Sequence, residues 1–116
     1  MLNSQKLSKK LLEVCFKNNM KLLTAESCTG GLLSANITGV AGSSSVFSYG
    51  FICYSNESKR RFLNVSKKTI DSHGAVSYGT VEQMLNGLCK QAKSKTLAIA
   101  ISVLPDQVRL RQNQLD

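Results

Sequence analysis

The sequence predicts an α/β layered domain, and two observations carry that prediction. Stretches rich in apolar and β-branched residues (Lys21 to Ala25, Val46 to Tyr54, Thr96 to Ile101) alternate with amphipathic stretches at helical spacing. The 116 residues, 42% of them hydrophobic, suffice for one domain with one modest core.

Taken in order, Ser4 to Lys17 carries Leu7, Leu11, Val14 and Cys15 at helical spacing, with Ser4 as the expected N-cap and Asn18-Asn19 as the stop. Lys21 to Ala25 reads as the first strand. Thr24-Ala25-Glu26-Ser27-Cys28-Thr29-Gly30-Gly31 then turns into an amphipathic stretch (Leu32, Leu33, Ala35, Ile37) that stops near Thr38-Gly39. Val40 to Ser45 reads as a polar loop. Gly50, inside the second strand, predicts a bulge or a close approach of another chain segment. Asn56 to Leu63 forms a short helix, Ser66 caps another that ends at His73-Gly74, and Ser77 caps a longer one through Val81, Met84, Leu85 and Leu88. Thr96 to Ile101 is a strand of the buried type. From Leu104 the composition turns polar without a clear period, so the α/β fold is expected to be incomplete at its C-terminus.

The formal charge is +8, with lysines spread along the chain and one denser cluster at Lys59-Arg60-Arg61. No aromatic interleaving or nucleic-acid motif accompanies it, which argues for solvated helix faces or an anionic small molecule and against specific nucleic-acid binding. No apolar run reaches membrane-spanning length, and the lysine-bearing start is broken by Lys, Glu and Asn. It reads as a helix and not as a signal peptide, which predicts a cytoplasmic protein without a membrane partner. Cys15, Cys28, Cys53 and Cys89 form no C-x-x-C pair, so neither a disulfide framework nor a metal site is expected. Cys28 stands apart, because a helix start stabilises a thiolate.

A strand that turns through hydroxyl residues and glycines into a helix directs N–H groups at an anion or a developing oxyanion. Ser27 in that turn is either a helix cap or a nucleophile, and the elbow motif G-x-S-x-G is absent. Glu26 either orients a ligand hydroxyl or caps the same helix. The sole histidine, His73, lies at a helix exit and lends a Ser-His-Asp triad little support. A Ser–Lys pair works when the lysine is desolvated and its neutral amine is available. Lys59, after Cys53-Tyr54-Ser55-Asn56, either returns to a cleft with Tyr54 sharing the proton relay or heads an exposed basic cluster. Gly30-Gly31 and Gly42-Ser43-Ser44-Ser45 are both potential phosphate-contacting turns, although neither is a Walker A or G-x-G-x-x-G sequence.

The stretch from Thr24 to Gly31 resembles the signature of the CinA C-terminal domain family, the nicotinamide-nucleotide amidohydrolases. The similarity continues through Gly42-Ser43-Ser44, Gly50-Phe51, Tyr54-Ser55-Asn56 with Lys59, Leu63-Asn64-Val65 and His73-Gly74-Ala75-Val76-Ser77. The resemblance implies a three-layer α/β/α sandwich that hydrolyses the carboxamide of nicotinamide mononucleotide to nicotinate mononucleotide and ammonia, with no metal or other cofactor. Carried onto this chain, it makes Ser27 the nucleophile, with Lys59 and Tyr54 as activating groups. Thr29, Gly30 and Gly31 become the turn that holds the oxyanion or phosphate, and Glu26, Ser44 and Ser102 further substrate contacts. A homodimer is compatible with it.

The resemblance covers residues 1–102, and residues 103–116 depart from it as an aberrant tail. The family continues with Thr-Gly-Ile-Ala-Gly-Pro, where this chain has Ser102-Val103-Leu104-Pro105. In one permissible back-translation, a single base inserted after the Ser102 codon restores Ser-Gly-Ile-Ala-Gly-Pro-Gly-Ala-Thr-Lys-Thr-Lys-Pro-Val-Gly, the family's own segment. A frameshift and impaired or absent deamidase activity are therefore expected. The alternatives are a non-enzymatic nucleotide-binding module or a degraded gene product.

Overall fold

The computed structural model describes residues 3–102 and 108–113. Its frame is β1 (Lys21–Glu26), which lies parallel to β2 (Phe47–Ile52) on one side and to β3 (Thr96–Ile101) on the other. β4 (Val108–Asn113) runs antiparallel to β3, giving the order β2-β1-β3-β4.

Period-2 alternation sends successive β1 side chains to opposite faces of this sheet. On one face, Leu22 and Ile99 meet Leu12 and Cys15 of α1 (Ser4–Lys17) and Ile37 of α2 (Leu32–Thr38). On the other, Leu23, Ala25, Ala98 and Ala100 meet Leu63 of α3 (Asn56–Leu63) and Val81, Met84, Leu85 and Leu88 of α5 (Tyr78–Lys90). The short α4 (Lys67–His73) adds Ile70 to that cluster. Each leucine buried this way contributes about 1.5–3 kcal/mol relative to exposure. The result is the expected three-layer α/β/α sandwich.

Two glycines permit close approaches that a side chain would block. A Cβ on Gly87 of α5 would lie 1.9 Å from the Leu63 carbonyl oxygen, so α5 sits directly on the end of α3. A Cβ on Gly50 would lie 2.1 Å from Thr24 Oγ1, which is the close approach the sequence predicts, and the β1–β2 register shifts between Leu22 and Leu23.

Three local expectations need correction. Asn3, not Ser4, caps α1: its Oδ1 accepts the Lys6 N–H at 2.8 Å, while Ser4 begins the helix. Ser43–Ser45 form a 3-10 turn in place of an irregular loop. The polar tail contains β4, because Val108-Arg109-Leu110-Arg111 alternates with the strand period. Arg111 donates to Glu82 Oε2 at 3.1 Å and to Asn86 Oδ1, while the Arg109 guanidinium stacks 4.1 Å over the Tyr78 ring. Both arginines thus reach α5, and Leu110 points to the other face, 64% exposed. Residues 103–107, which open the expected tail, lie outside the described residues. Among the described residues, no helix is long and apolar enough to cross a membrane.

Candidate active site

The carboxyl ends of the three parallel strands converge on Ser27. The Ser27 N–H donates to the Ile101 carbonyl at 3.1 Å and the Cys28 N–H to that of Ser102 at 3.2 Å. On the other side, the Cys53 N–H donates to the Glu26 carbonyl at 2.8 Å. The chain leaves β1 towards β2 and leaves β3 towards β4, so the crevice between β1 and β3 is where connections diverge in opposite directions. Open α/β sheets bind ligands at such points.

Glu26 is fully buried, and its carboxylate is saturated. Oε1 accepts from Thr29 Oγ1 at 2.7 Å, the Leu33 N–H at 3.0 Å and the Gly31 N–H at 3.2 Å. Oε2 accepts from Ser34 Oγ at 2.5 Å and the Ser34 N–H at 2.9 Å. Ser34 Oγ, having given its proton to Glu26, accepts one from Thr24 Oγ1 at 2.7 Å. Burial works to raise the Glu26 pKa, yet the hydrogen bonds from Ser34, Thr29 and Leu33 together hold it below the usual carboxylate value. The carboxylate thus takes orphan N–H groups of the first turn of α2, the work of a cap delivered from the strand before the helix.

This cap decides what the glycine turn can offer. Gly30 N–H donates to the Ser27 carbonyl and Leu32 N–H to that of Thr29, while Gly31, Leu33 and Ser34 give theirs to Glu26. From Ser27 to Ser34, only the Thr29 N–H lacks a partner among the described residues. The turn does not present the row of outward donors that its sequence suggests. Gly30 and Gly31 hold φ of 65° and 104°, a left-handed path open to glycine at little cost. A Cβ at Gly31 would also press on Ile52 Cδ1 at 2.8 Å.

Ser27 is 1% exposed, and among the described residues its hydroxyl has a single loose contact, to Cys28 Sγ at 3.9 Å. Lys59 is buried to the same degree, unlike the exposed Arg60 and Arg61 beside it. Ser55 caps α3 by accepting the Ser58 N–H at 3.0 Å. That start point places Lys59 on the inner face, where its amine donates to the Tyr54 carbonyl at 2.9 Å. Burial pushes the Lys59 pKa below the ordinary lysine value, while Cys28 and Cys53 act weakly the other way. Among the described residues no carboxylate pairs with this amine. Cys28 therefore links the two groups: it touches the serine hydroxyl and lies within electrostatic reach of the lysine. Ser102, fully buried at the end of β3, has a hydroxyl without a partner among the described residues.

The remaining sequence-selected residues fall into place unevenly. The Tyr54 ring is 72% exposed, so this residue serves Lys59 through its carbonyl. Ser44 does not join the others. It lies exposed in the turn that enters β2, beside the start of β1, where Lys21 donates to the Ser45 carbonyl at 2.9 Å. A six-residue strand separates the two ends of the sheet by roughly 20 Å. A turn that enters a parallel strand must lie at the opposite end from one that leaves its neighbour, and that rule was the available signal. His73 is exposed at the end of α4. No local pattern marks Ser34 and Thr24 as supports of Glu26. Cys15 and Cys53 are buried, Cys89 is half-buried and Cys28 exposed, and among the described residues none forms a disulfide. Among the described residues, no cluster of His, Cys, Asp or Glu could hold a metal ion.

Known proteins share this fold. The CinA C-terminal domain family matches residues 4–104. The chain is 41% identical over 92 residues to a protein of Thermoanaerobacter sp. (strain X514) named for competence-damage induction, covering 79% of this chain and 22% of that protein. It is 44% identical over 92 residues to a CinA-like protein of Petrotoga mobilis, covering 79% and 23%. The chain thus spans about a fifth of the length of these relatives. Among solved structures, the competence/damage inducible protein CihA from Agrobacterium tumefaciens superposes with a TM-score of 0.79 at 27% identity, over 97% of this chain and 81% of that one. A competence or damage-inducible protein from Enterobacter asburiae superposes with a TM-score of 0.80 at 25% identity, over 100% and 86%. On the match from residue 4 to residue 104, this chain belongs to the CinA C-terminal domain family.

Proposed function

We propose that this domain descends from a nicotinamide mononucleotide deamidase, with Ser27 as nucleophile and Lys59 as its base, and that its own turnover is impaired. The observation that carries the reading is the buried Lys59 amine, which has a neutral carbonyl as partner and a pKa lowered by burial. A lysine held this way keeps a neutral fraction that can accept a proton.

In the reaction, the neutral Lys59 amine takes the Ser27 proton as Oγ attacks the carboxamide carbon. The protonated lysine then gives that proton to the departing ammonia, leaving an acyl ester on Ser27. Water, deprotonated by Lys59, attacks the ester, and Ser27 leaves with its proton restored. The net change is nicotinamide mononucleotide plus water giving nicotinate mononucleotide plus ammonia. Among the described residues of this turn and of the β3 end, the Thr29 N–H and the Ser102 hydroxyl are without a partner and would contact the substrate. Tyr54 positions Lys59 through its carbonyl, and Gly30 and Gly31 shape the turn.

Three features support impairment. The N–H groups of Gly30 and Gly31 are already engaged, the nucleophile is 1% exposed, and the residues after Ser102 differ from the family's glycine-rich segment. Misplacing one group in such a site costs orders of magnitude in rate. Ammonia release from nicotinamide mononucleotide is expected to be weak or absent, and any that remains is expected to vanish in Ser27→Ala and Lys59→Met. A rate normal for the family and abolished by Ser27→Ala would overturn the impairment; a rate unaffected by Ser27→Ala would overturn the mechanism. A second reading, a binding module without turnover, rests on the Ser102 hydroxyl, which has no partner among the described residues; calorimetric binding of the mononucleotide without ammonia release would favour it.

A further inference from the structure

Cys28 takes no part in the proposed reaction, yet the groups that do surround it. It is the exposed cysteine of the four. Its N–H donates to the Ser102 carbonyl at 3.2 Å, which continues the β1–β3 ladder one step past Glu26 and Ile101. Alternation sets Ala25 and Ala100 on the face covered by α3 and α5, so Ser27 and Ser102, two positions on, share that face. Lys59 comes to the same face from α3.

Three side chains back the Cys28 turn from inside, each at most 1% exposed. The Ser27 hydroxyl makes its loose contact with the Cys28 sulfur, at 3.9 Å. The Lys59 amine, hydrogen-bonded to the Tyr54 carbonyl, is near enough for the charge of that sulfur to act on it. The Ser102 hydroxyl has no partner among the described residues, and a buried hydroxyl of this kind keeps its hydrogen-bonding capacity for an incoming group. An exposed thiol with a buried cation and a spare hydroxyl behind it has the surroundings in which thiols react. The other cysteines differ. Cys15 and Cys53 are buried and Cys89 is half-buried, and burial pushes all three thiols up, away from the reactive thiolate.

We propose that Cys28 is a site of reversible thiolation, which reacts with small disulfides and carries the added group across the mouth of the Ser27 site. The Cys28 thiolate attacks one sulfur of the disulfide. The reagent's S–S bond breaks as a bond to the Cys28 sulfur forms, and the leaving thiolate takes up the proton that Cys28 released to solvent. Cys28 is oxidised, and one half of the disulfide is reduced to a thiol. Excess thiol runs the exchange backwards. Closure of the site rests on the deamidase reading; the thiolation itself does not.

The test treats the purified chain with hydroxyethyl disulfide, a small neutral reagent, and follows the mass of the chain and of its peptides. The first addition is expected at Cys28, about tenfold or more faster than at any other cysteine, because buried thiols react only when the fold opens. Dithiothreitol is expected to remove it. Cys28→Ser abolishes the fast addition and Cys89→Ser keeps it, with circular dichroism to check that both fold. A first addition at another cysteine, no difference in rate, or a fast addition that survives Cys28→Ser would each overturn the proposal. Calorimetry with nicotinamide mononucleotide then compares the two forms. Binding that is lost on thiolation and regained with dithiothreitol is expected, and equal binding by both forms would overturn the closure. Binding by neither form would overturn the deamidase reading and the closure that rests on it, and leave the thiolation standing on the mass data.

Discussion

Two buried polar clusters flank the end of β1, and they differ in one respect. Glu26, Ser34, Thr29 and Thr24 form a closed network in which the carboxylate accepts five hydrogen bonds. Ser27, one residue away, Lys59 of α3 and Ser102, just after β3, are under-supplied among the described residues: a loose thiol contact, one carbonyl, and no partner. The comparison teaches how to separate structure from chemistry within a single motif. A saturated polar group holds the fold, because removing it orphans the donors it serves. An under-supplied one costs stability as it stands, and its retention calls for another explanation, which the proposed function supplies.

The largest expected effect comes from breaking the saturated cluster. Glu26→Ala leaves three N–H groups and two hydroxyls without an acceptor, and its unfolding free energy is expected to fall by about 3–5 kcal/mol. Urea unfolding measures it, and a loss below about 1 kcal/mol would remove the cap from this account. Next comes Gly87→Ala, where the added methyl meets the Leu63 carbonyl and pushes α5 from α3. A loss of about 1–3 kcal/mol is expected, with the site's pH behaviour unchanged. Ser34→Ala, which removes one of the five donors and strands Thr24 Oγ1, is expected to cost about 1–2 kcal/mol. Ser27→Ala is the smallest, within about 0.5 kcal/mol of the parent, since its hydroxyl has no strong partner to lose.

In both clusters stability rises with pH, but in different windows, acidic for Glu26 and alkaline for Lys59. The folded-state pKa of Glu26 is depressed, so its contribution is present above the unfolded value near 4.5 and is lost as pH falls through the lower folded value. The folded-state pKa of Lys59 is depressed as well, but for a base this means that the unfolded chain binds more protons. Stability therefore rises with pH from the folded value towards the unfolded one near 10.5. Any remaining deamidation should rise over the approach to the folded Lys59 pKa, and Lys59→Met should abolish the alkaline rise in stability. Thermal unfolding across pH checks both signs.

Much of this was legible in the sequence. Strand periodicity and the serine caps at Ser66 and Ser77 located the parallel strands and the helices of the α5 face. The motif around Ser27 gave the family, and with it the three-layer fold. Other features depend on long-range geometry. Lys59 stands in a basic run with Arg60 and Arg61, and only the cap position of Ser55 decides which of the three turns inward. Glu26 reaches residues up to eight positions ahead, beyond the reach of local capping patterns. Ser44 matches the family motif by sequence, yet strand direction carries it to the other end of the sheet. β4 was hidden by polar composition, although its alternation was visible.

The central claim is that the Lys59 amine is kept for chemistry at the expense of stability. Urea unfolding of Lys59→Met at neutral pH tests it most directly, because methionine fills a similar volume without a charge to desolvate. The predicted result is a variant as stable as the parent or more stable. A loss comparable to that of Glu26→Ala would contradict the account and make Lys59 part of the structural network.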